Sequence, residues 1–129
     1  MNYLDKYNLN EEISEFTLLI NDNYSEHYAD ACDIKNYSSK FVNPTELATL
    51  SLKHFIEKFP IPEGSIHTAQ EVEIFKSINK DELLKGVITI TNYKEIKESL
   101  FIKIKTNYLS DNDIVASSEG TLIVPKKSK

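Results

Sequence analysis

Asn43-Pro44-Thr45-Glu46 opens one long helix, Pro60 and Pro62 close it, and every periodic segment beyond it alternates as strand. Asparagine suits the N-cap, proline the first helical position, and a glutamate two residues further on can reach back to the cap. At the other end, proline has no N–H to give and restricts the residue before it, so the helix stops near Phe59. Over 43–59, Ala48, Leu52, Phe55, Ile56 and Phe59 share one face, and Glu46, Lys53 and Glu57 share the opposite one. Leu47 and Leu50 extend the apolar surface along the flank. The helix is therefore expected to be more buried than an ordinary surface helix, with that flank near a subunit contact.

The strands follow the same logic. A first strand is expected at 15–20 and ends at Asn21-Asp22-Asn23, residues that favour turns and caps. A short helix should follow over 23–33, where Tyr24, Tyr28, Ala31 and Cys32 recur at helical spacing, and then a loop to Val42. After the long helix, 65–78 alternates, with Ile66, Thr68, Gln70, Val72 and Ile74 on one face. His67, Ala69, Glu71, Glu73 and Phe75 lie on the other, wet face. The stretch 86–93 is rich in β-branched residues, which strands favour. In 99–108, Leu100, Ile102 and Ile104 point in and Lys103 and Lys105 point out; a last strand is expected at 114–124. One helix set against an antiparallel sheet is an α+β solution in two layers.

At 129 residues the chain holds a single domain over 1–129, with 1–14 and 125–129 expected to be peripheral. The formal charge is −5, and all 15 basic residues are lysines. Without arginine forks to grip phosphates or read guanines, an acidic chain is a poor nucleic-acid binder. The basic tail Lys126-Lys127-Ser128-Lys129 reads as a solvated terminus. No apolar run approaches the ~20 residues of a membrane helix, and the N-terminus is no secretory signal. Cys32 is the single cysteine, which rules out an internal disulfide and points to a reducing, cytoplasmic setting. No acids or histidines show metal-ligand spacing and no glycine-rich phosphate loop is present, so neither metal nor cofactor is expected.

Several segments in this order resemble a known family. They are Phe59-Pro-Ile-Pro-Glu-Gly-Ser-Ile-His67, Gln70-Glu-Val-Glu-Ile-Phe75, Ile78-Asn-Lys-Asp-Glu-Leu83 and Ser118-Glu-Gly-Thr-Leu-Ile-Val124. Together they resemble the hotdog fold, an antiparallel sheet wrapped around one long central helix. In detail they resemble its MaoC-like branch of enoyl-thioester hydratases and 3-hydroxyacyl dehydratases. The resemblance implies an acyl-CoA or acyl-carrier thioester as ligand and a dimer, either with itself or with a second hotdog chain. It also implies a Gly-Asp-x-Asn-Pro-x-His element after the short helix, whose aspartate and histidine share one water. The thioester oxygen would be held by backbone N–H groups at the start of the central helix, here Leu47, Ala48 and Thr49.

The matching stretch is Ala31-Cys32-Asp33-Ile34-Lys35-Asn36-Tyr37-Ser38. Asp33 takes the aspartate's place and Asn36 the asparagine's, but no proline follows, and Ser38 stands where the histidine belongs. Serine has no pKa near neutrality and cannot take over that proton transfer. The expected function is therefore acyl-thioester binding by a hydratase or dehydratase relative with a degraded motif, slow in catalysis or serving as a non-catalytic partner subunit. Two alternatives stay open. One is a hotdog thioesterase using Glu46 or Asp33 to activate water, against which stands the capping role that already accounts for Glu46. The other is a binding or structural module without chemistry. Asp22 and His27 repeat the five-residue spacing but lie one element too early, where Asp22 serves as a cap. His54 and His67 read as surface histidines, and Cys32 as core packing.

Overall fold

A computed structural model describes residues 2–20 and 42–126. The elements are β1 (Glu12–Leu19), α1 (Pro44–Lys58), β2 (Ile66–Ile74), β3 (Leu83–Ile96), β4 (Ser99–Ser110) and β5 (Asp113–Pro125). The expected helix over 23–33 and the loop after it lie outside the described residues. The strands form one antiparallel sheet in the order β1-β3-β4-β5-β2. Sequence neighbours β1 and β2 thus end at opposite edges, with α1 between them in the chain. The last three strands form a meander closed by tight turns. Asp111 and Asn112 link β4 to β5 with φ of 49° and 70°, a left-handed pair that matches the right-handed strand twist and that Asp and Asn tolerate.

The helix begins as its sequence dictates. Asn43 Oδ1 accepts from the Thr45 N–H at 2.9 Å, and Pro44 occupies the first turn. Phe59 closes it, its N–H donating to the Phe55 carbonyl. On β4, Leu100, Ile102 and Ile104 are buried and Lys103 is exposed, as the alternation predicts.

The buried stripe of α1, however, is rotated from the expected one. Glu46, Leu47, Leu50, Ser51 and Phe55 are buried, whereas Ala48, Leu52, Ile56 and Phe59 are half-buried. Leu47 and Leu50 are therefore core residues and not a subunit flank, and Glu46 lies inside with them. The reason is long-range. Leu84 of β3, Tyr108 of β4 and Val115 and Ala116 of β5 pack on this end of α1, and Ile20, Val42 and Ile78 join them from outside the regular elements. A moment read along the helix weighs only its own residues and is blind to what closes over it. Tyr108 adds a buried hydrogen bond from its hydroxyl to the Leu47 carbonyl at 2.7 Å.

Toward the C-terminal end of α1, Phe55 meets Ile88, Ile90, Leu100, Ile102 and Leu122 in a second cluster. The segment before β1 is more than an outlying tail, because Leu4 is buried in that cluster. The Tyr3 ring meets Phe55 edge-on, and Tyr7 meets Phe59 the same way. Tyr3 donates its hydroxyl to the Phe59 carbonyl at 2.6 Å, and Tyr93 donates its own to the Tyr3 carbonyl at 2.8 Å.

Burial raises the Tyr3 phenol well above the ordinary tyrosine range. Tyr93 is raised by burial first and then by the negative charges of Asp5 and Glu95. Both phenols stay protonated in the fold after an unfolded chain has begun to lose them, near pH ~10. The unfolded state then binds fewer protons, so stability is intact below that pH and falls as pH rises above it. Urea midpoints measured from neutral to alkaline pH are expected to show this fall. Tyr3→Phe should start lower, for want of the bond to Phe59, and decline less steeply.

Candidate functional site

Among the described residues β2 is an edge strand, paired with β5 alone, and its register contains the feature that shapes the site. Ile66 and His67 face Ile123 and Leu122, then Ala69 faces Thr121, so one extra residue is inserted between His67 and Ala69. Such a bulge reverses which way the preceding side chains point. Strict alternation puts His67 and Gln70 on opposite faces. With the bulge, both lie on the helix side and line one cleft with Ser51, Leu52 and Phe55 of α1. His67 is solvent-exposed, as expected, but it lies on the same side as Gln70 and not on the opposite one. Ile104 and Leu122 make the cleft's floor apolar, and Thr106 adds a hydroxyl.

The polar groups of the cleft form a continuous chain. His67 Nε2 lies 2.9 Å from Gln70 Oε1. Gln70 Nε2 donates to Ser118 Oγ, and Ser118 Oγ lies 3.1 Å from Ser51 Oγ. Ser51 in turn donates to the Ala48 carbonyl at 2.9 Å. Ser118 and Ser51 are buried, at 1% and 4% exposure, so their hydroxyls find partners within the protein, as buried polar groups must. Gly120 makes the arrangement possible. A Cβ there would come 2.6 Å from Gln70 Oε1, closer than real Cβ atoms approach an oxygen. Neither Gln70 nor the two serines stood out in the sequence. A hint was present in Gly120 and Ser118, two small residues inside a strand, since a glycine there often marks close approach of another group.

The residues expected from the sequence divide by location. Asp33, Asn36 and Ser38 lie outside the described residues, as do Asp22, His27 and Cys32. Leu47, Ala48 and Thr49 sit in the first half of α1: Leu47 in the core, Ala48 half-buried, and Thr49 exposed with its hydroxyl donating to the Thr45 carbonyl. His54 is not a free surface histidine. Its ring stacks on Phe16 at 4.1 Å between centroids, and Phe16 in turn lies over Gly86. Among the described residues, no group of three or more histidine, cysteine or acidic side chains is placed to hold a metal ion. None of their helices is long and apolar enough to cross a membrane.

No family model and no curated protein sequence matches this chain. Solved structures do match it. An (R)-hydratase from A. caviae involved in PHA biosynthesis superposes with a TM-score of 0.72 at 12% identity, over 94% of this chain and 98% of the other. A MaoC-like dehydratase from Rhodospirillum rubrum gives 0.73 at 10% identity, over 98% and 99% of the two chains. The HadBC (3R)-hydroxyacyl-ACP dehydratase complex of Mycobacterium tuberculosis gives 0.65 at 14%, over 89% and 99%. Identities this low speak to architecture alone. A five-stranded antiparallel sheet with one long helix, superposing over nearly the whole of these chains, gives this protein the hotdog fold of MaoC-like dehydratases and (R)-hydratases.

Proposed function

We propose that this chain binds an acyl thioester, on coenzyme A or a carrier protein, with the acyl group in the cleft between α1 and β2, and that it hydrates enoyl thioesters only slowly. The observation that carries this reading is the cleft itself, an apolar slot along the central helix of a hotdog fold, walled by Leu52, Phe55, Ile104 and Leu122. An apolar slot with few, placed polar groups is what a small-molecule site requires. Asp33 is the residue proposed to polarise water and Asn36 its neighbour in the motif, while Ser38 leaves the proton transfer weak. The N–H groups of Leu47, Ala48 and Thr49 belong to the proposed site for the thioester oxygen. Cytoplasmic residence is part of the same reading.

A second hotdog chain, identical or different, is the proposed partner. The edge β2 supports it: Ile66, Ile74 and Phe75 are 57%, 37% and 52% exposed, on or just beyond a strand whose outer side no other described strand pairs. Uncovered apolar edges invite pairing. One experiment addresses ligand and partner together. Native mass spectrometry with a panel of acyl-CoAs is expected to show twice the chain mass, carrying bound acyl-CoA. A monomer that binds no acyl-CoA would refute the proposal, and release of free thiol during the incubation would move it to the thioesterase class.

A further inference from the structure

The hydrogen-bond chain of the cleft fixes the position of its imidazole. His67 Nε2 lies 2.9 Å from Gln70 Oε1, Gln70 Nε2 lies against Ser118 Oγ, and the Ser51 hydroxyl reaches both Ser118 Oγ at 3.1 Å and the Ala48 carbonyl at 2.9 Å. A chain anchored on two buried serines engages the ring through Nε2 and holds it at the cleft. Among the described residues lining the cleft, His67 carries the one imidazole, a side chain able to take a proton and return it.

We propose that His67 is the proton-transferring group through which this chain hydrates enoyl thioesters, with Gln70 as its positioning residue; the inference rests on the acyl-thioester reading above. The imidazole takes a proton from water as the water oxygen bonds to the β-carbon of the double bond. The π pair moves toward the thioester carbonyl, and the proton held on the imidazole returns to the α-carbon. Water and enoyl thioester give 3-hydroxyacyl thioester, and no other reactant is consumed. The bulge in β2 is what makes this possible, since without it the ring would point away from the apolar slot. Ser38, at the position where the family resemblance expects a histidine, has no part in this transfer.

The test uses the full chain, crotonyl-CoA and exogenous imidazole. Wild type is expected to bind crotonyl-CoA and hydrate it slowly. His67→Ala should still form the crotonyl-CoA complex by native mass spectrometry and lose about 10²-fold or more in rate. Added imidazole should restore part of the loss, which no purely structural role of His67 would permit. His67 is exposed on an edge strand, so the variant is expected to fold, and His67→Gln provides a second check with an amide in its place. Binding without any wild-type hydration overturns the assignment and leaves the binding reading standing. So does a variant as fast as wild type, or a loss that imidazole does not relieve. Absence of binding by wild type overturns the acyl-thioester reading, and this assignment with it.

Discussion

Phe55→Ala is expected to destabilise the protein by about 3–5 kcal/mol, the usual cost of removing a buried aromatic ring. Phe55 is 2% exposed and joins the sheet residues Ile88, Ile90, Leu100 and Ile102 to the N-terminal segment through its edge contact with Tyr3. Its loss opens a space that Tyr3 and Phe59 cannot both fill without giving up their own contacts. Against a total stability of roughly 5–15 kcal/mol for a domain of this kind, the change consumes a large share. Urea denaturation should show the midpoint falling at constant slope. Leu52→Ala is the control. Leu52 is half-buried at the cleft, so its truncation should cost clearly less. The reverse order would mean that α1 faces the sheet as its own hydrophobic pattern suggests, and not as the fold places it.

Ser38→His is expected to raise the rate of crotonyl-CoA hydration by about 10²-fold or more, within the range that a placed acid–base group supplies. The substitution returns an imidazole to the position where the resemblance expects one, five residues after Asp33. Asp33→Asn in the same background should remove the gain, because an amide no longer polarises the shared water as a carboxylate does. Combining Ser38→His with His67→Ala separates the two routes: the restored rate should persist without His67, whereas the slow wild-type rate should not. If Ser38→His binds crotonyl-CoA as wild type does and gains nothing, Asp33 and Ser38 are not the pair that handles water.

The set of elements is legible in local sequence. Asn43, Pro44 and the two later prolines bound the helix, because capping and the missing N–H of proline act within a few residues. Alternation marks the strands, since a pleated strand with one dry face must repeat every second residue. Four strands are longer than the pattern indicates, β3 most of all, spanning Leu83–Ile96 where only 86–93 stands out, whereas β2, expected over 65–78, spans Ile66–Ile74. The end of β3 runs into exposed residues whose pairing with β4 does not depend on an apolar face. Resemblance over nearly the whole chain supplied the fold's name, and superposition on solved structures agrees with it.

The arrangement of those elements comes from contacts between distant residues. The order β1-β3-β4-β5-β2 depends on partners far apart in sequence, and so does the rotation of α1 that buries Glu46, Leu47 and Leu50. The cleft shows the limit most plainly. Period-two reasoning set His67 on the face opposite Gln70, because it assumes an unbroken pleat. One inserted residue between His67 and Ala69 changed the side on which the imidazole lies, and Gly120 on the neighbouring strand left room for Gln70 to hold it. A bulge is a disagreement between two strands about how many residues fill the same length, and a single strand read alone has nothing to disagree with.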